Sequence, residues 1–148
     1  MVRQFALLAA LGAGMLVAIG CGGASPSGDD GQLRVAMKVL GLEYGNYFTE
    51  HNGAPPPDEA AMRGYLQSRM VDLSELGVKG VDDLLRLGRD GQPIKVVYGA
   101  KIAVPDRPQY AYAAYEQTGV EGNRLVCDSR GGVYEIGETE FTEQIAGK

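Results

Sequence analysis

The residues of this chain whose types could carry covalent or metal chemistry are two cysteines and one histidine. Cys21 ends a long apolar run, Cys127 lies in an apolar stretch typical of a strand, and His51 lies at the end of a helical pattern. One histidine and one further cysteine are too few for a zinc site of the usual composition. A nucleophilic cysteine would need a base, and His51 is the only histidine available. We therefore expect Cys127 to be a small buried hydrophobic residue and His51 to cap the end of its helix.

The remaining ionisable residues form no recognisable catalytic motif. The sequence contains no nucleophile elbow, no P-loop and no dinucleotide-binding fingerprint. Glu138, Glu140 and Glu143 lie around a short predicted helix, where solvation and the helix amino terminus account for them. We expect no catalytic residue, no metal and no cofactor. An envelope enzyme of unidentified class is an alternative, and it would need a cleft that unites His51 with carboxylates.

Tyrosine is the one unusual enrichment, with eight residues and no tryptophan in the chain. Several tyrosines fall on predicted strands: Tyr98, Tyr110, Tyr112, Tyr115 and Tyr134. Tyrosine suits a half-buried sheet, and an exposed tyrosine face could also stack on a sugar or on a protein partner. Tyr110, Tyr112 and Arg107 are therefore the candidate binding surface, with Pro105 and Pro108 at its rim.

The amino terminus has the pattern of an export signal. Arg3 is followed by an uncharged run over residues 5–19, which is shorter than the roughly 20 residues that a membrane-spanning helix needs. The sequence Ala-Ile-Gly-Cys at 18–21 resembles the lipobox of bacterial lipoproteins, with alanine where leucine is commonest. The resemblance implies that residues 1–20 are a lipoprotein signal peptide and that Cys21 carries the acyl chains. The alternatives are an uncleaved anchor helix and an ordinary signal with an unrelated cysteine.

Residues 22–31 contain Gly, Ser, Pro and Asp and predict a flexible tether. By the sorting rule of the lipoprotein family, Gly22 after the cysteine favours the outer membrane. We expect the protein to be anchored to the cell membrane or the outer membrane, with its domain facing the periplasm or the cell surface. The net charge of −5 and the lack of a basic stripe argue against a nucleic-acid partner.

Residues 32–148 predict a single α+β domain, in which a long amino-terminal helix lies on a sheet. Apolar residues at spacings of three and four predict an amphipathic helix over Gln32–Asn52, ended by Gly53. Gly41 and Gly45 inside this helix are tolerable if another backbone approaches closely there. A second helix is predicted to open at Pro57, with Met62, Tyr65, Leu66 and Met70 as its apolar side. Short helices are predicted around 81–87 and over 138–145.

The second half of the chain predicts a sheet of three to four antiparallel strands. The predicted strands are Ile94–Tyr98, Tyr110–Glu116, Arg124–Asp128 and Val133–Ile136. The segment VPDRPQ at 104–109 predicts a loop, and SRGG at 129–132 predicts a hairpin turn. Because side chains alternate along a strand, Tyr110, Tyr112 and Ala114 are predicted to lie on one face of the sheet.

Residues 37–56 resemble the carboxyl half of the long helix in type II secretion pseudopilins, and the strand block resembles their small sheet. More closely, the chain is similar to small bacterial lipoproteins of unknown function that share RDGQP before VVYG, then AYE, a glycine hairpin and a final EF. Here these motifs lie at 89–93, 96–99, 114–116, 131–133 and 140–141. The resemblance implies a pilin-like fold and no reaction. The calcium ligands of some pseudopilins have no match, because Asp128 is followed by Ser129 and Arg130.

Together these features predict a lipid-anchored, non-catalytic interaction or envelope-assembly module. A glycan- or peptidoglycan-binding lipoprotein that uses the strand tyrosines is the second hypothesis. The lipobox and the polar tether replace the apolar stalk of a pseudopilin, and they argue against a fibre subunit.

Overall fold

The computed structural model describes residues 28–69, 78–86 and 88–147. The signal peptide, Cys21, residues 22–27 and Met70 lie outside these ranges, and so do the predictions made for them. In chain order the elements are α1 Gly28–Glu50, α2 Glu59–Ser68, α3 Val81–Arg86, β1 Lys95–Val96, β2 Ala103–Val104, β3 Arg107–Tyr115, β4 Asn123–Asp128, β5 Val133–Gly137 and α4 Glu138–Phe141, which continues as a π-helical turn over Thr142–Ala146. No helix in the described ranges is both long enough and apolar enough to cross a membrane.

The sheet is antiparallel throughout, with the strand order β1-β3-β4-β5, and β2 also pairs with β3. The predicted α+β class and antiparallel sheet are confirmed, but the sheet has five strands rather than three or four. The prediction of a loop at 104–109 was wrong. Pro105 and Asp106, whose φ is +59°, form a tight turn that pairs Val104 with Arg107 and so makes β2 a strand.

Helix α1 begins at Gly28, four residues before the predicted start at Gln32 and inside the segment predicted as a tether. An acid in the first turn favours this start, because it interacts well with the helix dipole. Asp30 also accepts a hydrogen bond of 3.5 Å from Arg34 one turn later. At the other end Gly53, with φ +83°, donates its N–H to the Phe48 carbonyl at 2.7 Å, which confirms the predicted cap.

Gly41 and Gly45 of α1 lie directly against the hairpin that joins β4 to β5. A Cβ atom built on Gly45 would lie 1.9 Å from the Ser129 carbonyl oxygen. A Cβ atom built on Gly41 would lie 2.4 Å from the Asp128 carbonyl oxygen. The expected close approach of another backbone is therefore confirmed, and these glycines fix the distance between α1 and the sheet.

Apolar residues fill both sides of the sheet. On one side the stripe of α1 packs on small strand residues, and this cluster contains Leu33, Met37, Leu40, Tyr44, Ala111, Ala113, Ala114, Leu125 and Cys127. On the other side Phe141 and Ile145 of the carboxyl-terminal helix point inward, as predicted, onto Tyr112, Val126 and Ile136. The pairing of β3 with β4 shifts register between Tyr112 and Ala114. This bulge turns Ala114 to the α1 side, so the prediction that it shares a face with Tyr110 and Tyr112 was wrong.

Helix α2 begins at Glu59 rather than at Pro57, because Asp58 is its N-cap. The Asp58 side chain accepts a hydrogen bond from the N–H of Ala61 at 2.8 Å. Met62 and Leu66 are buried as predicted, whereas Tyr65 is half-buried.

Candidate functional site

The three residues of the predicted binding surface lie on the side of the sheet that faces away from α1. Tyr112 is 4% exposed and belongs to the core under the carboxyl-terminal helix. Tyr110 is half-buried, and the Arg130 guanidinium lies over its ring at 4.8 Å from the centroid. Arg107 is the most exposed of the three, with 41% of its side chain accessible. The part of the predicted surface that is open to solvent therefore centres on Arg107, and Tyr112 belongs to the core.

Arg107 is held by Tyr134, a residue that the sequence placed among the strand tyrosines but not in the binding surface. The guanidinium carbon lies 5.1 Å from the centroid of the Tyr134 ring. Its Nη1 lies 3.9 Å from Oδ2 of Asp128, and the Tyr134 hydroxyl donates to the same oxygen at 2.5 Å. Burial and this hydrogen bond raise the pKa of Tyr134, so its hydroxyl keeps its proton at neutral pH.

Asp128 is fully buried and organises the β4–β5 hairpin. Its Oδ1 accepts hydrogen bonds from the N–H groups of Arg130 and Gly132, at 2.9 and 3.0 Å. Because both oxygens are already engaged, Asp128 positions the loop and Tyr134 and is not a free carboxylate.

A groove of about 340 Å³ runs beside Arg107. The turn at 105–106 forms one wall, the end of β5 forms the floor, and the carboxyl-terminal helix forms the other wall. The Tyr112 hydroxyl donates to Oε1 of Gln144 at 2.5 Å, and Nε2 of Gln144 donates to Oε1 of Glu140 at 2.9 Å. Glu140 and Gln144 were not predicted to belong to a site. Their spacing of four residues on a helix that follows a strand was the available signal.

His51 lies at the carboxyl end of α1, where a cap was expected. Its Nδ1 lies 2.8 Å from the Tyr47 carbonyl oxygen, and its ring stacks on the Tyr47 ring at 3.8 Å between centroids. No carboxylate is a partner of this ring in the described part of the chain. The structure therefore does not bring His51 together with an acid or with the groove.

Cys127 is a free, fully buried cysteine, as expected. Burial raises the pKa of its thiol to about 12. The thiol is therefore protonated at neutral pH, and its side chain packs in the core between the sheet and α1.

The RDGQP motif, which predicted only a turn, ties that turn to the sheet through two acids. The fully buried carboxylate of Glu116 accepts hydrogen bonds from Arg89 N at 2.8 Å, from Arg89 Nη2 at 2.8 Å and from Leu125 N at 2.9 Å. Asp90 accepts hydrogen bonds from the N–H and hydroxyl of Thr118 at 2.8 Å. Burial of Asp90 opposes ionisation, but these hydrogen bonds outweigh it and lower the pKa of its carboxyl.

Among the described residues, no group of three or more His, Cys, Asp or Glu is arranged to hold a metal ion. Comparison of the chain with protein-family models, with curated proteins and with solved structures gives no match. What indicates a function for this chain is therefore its sequence motifs and the contacts of the described residues.

Proposed function

We propose that this chain is a bacterial lipoprotein that is held to a membrane by acyl chains on Cys21. Its α+β domain binds a partner in the cell envelope and does not catalyse a reaction. The observation that carries this proposal is that the potentially reactive side chains of the described residues are already engaged in structural contacts. Among the described residues Glu116 and Asp128 are the buried acids, and each accepts several hydrogen bonds that hold loops in place. Cys127 is protonated in the core, and His51 contacts a backbone carbonyl.

The early start of α1 supports a short anchor. If Cys21 is acylated, only residues 22–27 separate the lipid from the first residue of the helix. At about 3.4 Å per extended residue, this segment reaches no more than about 20 Å. The tether predicted over 22–31 would reach roughly 34 Å. The proposed module therefore works close to the bilayer, and its partner lies in or near the same membrane.

We further propose that the fold is pilin-like, with α1 in the place of the long pilin helix. The support is that α1, of 23 residues, packs across an antiparallel sheet and contacts β3 and β4. In a pilin this helix continues as an apolar stalk that polymerises, whereas here a lipobox and a polar segment precede it. This difference favours an individually anchored domain over a fibre subunit.

Acylation is tested by metabolic labelling with a radioactive or clickable fatty acid. We expect the wild-type chain and a Cys127→Ser variant to be labelled, and a Cys21→Ser variant to lose the label. Cys127→Ser is the matched control because it removes the other thiol of the chain. Continued labelling of Cys21→Ser would refute the anchor.

Partner binding is tested by photo-crosslinking in the intact envelope. A photoreactive residue at Gln109, which is exposed on β3 next to Arg107, should give a discrete adduct. The same residue at Gln67, which is exposed on α2, should not. Adducts at Gln67 alone, or at neither position, would contradict a binding role for this face of the sheet.

A further inference from the structure

The groove beside Arg107 has the size of a small binding site. Its volume of about 340 Å³ lies at the lower end of the range of about 300–1,000 Å³ that is usual for ligand sites. Its far wall includes the π-helical turn Thr142–Ala146. Such turns are rare in proteins and are frequent at functional sites.

The polar groups of the groove are held in place before any ligand arrives. Arg107 is stacked on Tyr134, and the Tyr134 hydroxyl is bonded to Asp128. On the opposite wall, Gln144 is fixed between the Tyr112 hydroxyl and the Glu140 carboxylate. Because these side chains have already lost much of their rotamer freedom, a ligand that hydrogen-bonds to them loses less free energy in ordering them.

The charges at the rim distinguish between classes of ligand. Arg107 is the cation of the groove, and Asp106 and Glu140 are exposed acids on its two walls. Glu135, a further lining acid, already accepts hydrogen bonds from Arg89 at 2.8 Å and from Arg34 at 3.4 Å. A polyanion would be repelled by the rim acids, and a polycation that these acids attract would have to bring a like charge beside the Arg107 guanidinium.

An uncharged ligand with many hydroxyl groups fits both kinds of side chain. Each hydroxyl both donates and accepts, so it can donate to the Glu140 or Asp106 carboxylate and accept from the planar fork of Arg107. We infer that this groove binds an uncharged saccharide. The inference rests on the proposed function, because it names the ligand class of the same binding face.

The test is a titration of the full chain, purified in a polyoxyethylene detergent that contains no sugar, followed by amide shifts in NMR spectra. The probes are the tetramer of N-acetylglucosamine, maltotetraose, tetragalacturonate as an anionic glycan, and tetraglutamate as an acidic peptide. We expect at least one neutral tetrasaccharide to shift the amides at 106–107, 134–136 and 140–145, and to bind more tightly than either anion.

Matched variants separate a built site from surface charge. Glu140→Gln and Arg107→Gln should each weaken binding of the neutral tetrasaccharide about tenfold, because each removes a charge-assisted hydrogen bond. Glu143→Gln and Arg130→Gln make the same changes of charge at residues that do not line the groove, and they should leave the affinity unchanged. If Arg107→Gln does not fold, Asp106→Asn supplies a second variant on the same wall, since asparagine tolerates positive φ.

Four results would each overturn the inference. The first two are tighter binding of tetragalacturonate or tetraglutamate, and amide shifts at another surface. The others are equal losses of affinity in the control variants, and no binding of either neutral tetrasaccharide. The titration does not depend on acylation. Saccharide binding by a chain that is not acylated would therefore leave this inference standing and refute the anchor. Acylation and crosslinking without saccharide binding would refute this inference alone.

Discussion

The contact between α1 and the β4–β5 hairpin makes a sharp prediction for a Gly45→Ala substitution. The added methyl carbon would lie 1.9 Å from the Ser129 carbonyl oxygen and 3.0 Å from its carbonyl carbon. Both atoms belong to backbone, so no side-chain rotation relieves the overlap. Helix α1 and the hairpin must instead move apart, which disturbs the packing of Tyr44 and Cys127 in the core between them.

The expected magnitude is the balance of two opposing effects. Overpacking of this kind costs about 1–3 kcal/mol, and a clash with backbone this close belongs at the upper end. Replacing glycine by alanine inside a helix recovers about 1 kcal/mol. We expect a net loss of about 2 kcal/mol in the free energy of unfolding, or a fall of about 8 °C in Tm for a domain of this size.

Gly64 provides the matched control for this prediction. It lies inside α2, and a Cβ atom added there meets no atom within 4 Å. Gly64→Ala should therefore raise the stability by about 1 kcal/mol, or about 4 °C in Tm. Thermal and urea unfolding of the two variants and the wild-type chain, followed by circular dichroism, measure the difference. Stabilisation of both variants to the same extent would refute the direct docking of α1 on the hairpin.

Three further predictions concern buried and ionised groups. Glu116→Gln should destabilise the chain by about 1–3 kcal/mol, because it removes the buried charge from the hydrogen bonds of Arg89, which keeps Glu135 as a partner. A change in the urea midpoint no larger than that of a surface substitution would contradict this. The hydrogen bond from Arg89 lowers the pKa of Glu135, so the unfolded chain binds more protons at acid pH. The stabilisation by Glu135 is therefore complete above the ordinary glutamate pKa of about 4.3 and is lost as the pH falls through the lower folded value. Urea midpoints of wild type and Glu135→Gln should converge below about pH 4, and a constant gap would argue against this linkage. Because burial raises the pKa of the Cys127 thiol to about 12, maleimide at pH 8 should modify this thiol only in the unfolded chain. Rapid labelling of Cys127 in the native protein, detected by peptide mapping, would show that the core is open there.

The elements that the sequence predicts well are those specified by neighbouring residues. The three- and four-residue spacing of Leu33, Met37, Leu40 and Tyr44 predicted the buried stripe of α1, and all four are buried. Gly53 predicted the end of that helix because a capping glycine acts within one turn. The four-residue spacing of Phe141 and Ile145 predicted the inward side of the last helix, because residues four apart lie on one face of a helix.

The features that the sequence did not predict depend on residues far apart in the chain. The bulge after Tyr112 reverses the face of Ala114 through pairing with β4, which alternation along one strand cannot reveal. Strand β2 exists because Ala103 and Val104 find partners on β3, whereas the prolines and the aspartate at 105–108 predicted a loop. Arg89 and Glu116 are separated by 27 positions, and no local pattern signals their ion pair.

The surroundings of Arg107 were predicted only in part, and the binding role of this surface stays a prediction. Arg107 was grouped with Tyr110 and Tyr112, but the ring that its guanidinium lies over is that of Tyr134. The opposite wall of the groove comes from the carboxyl-terminal helix, and its position depends on how that helix packs on the sheet. Its residues became visible as part of a site only with the fold.

The central proposal is that lipid on Cys21 anchors the domain. The most direct measurement is mass spectrometry of the amino-terminal peptide of the chain extracted from its native membrane. This proposal predicts a peptide that begins at Cys21 and carries the mass of a diacylglyceryl group, with or without a further acyl chain. A peptide that retains residues 1–20, or one that begins at or contains an unmodified Cys21, would contradict it.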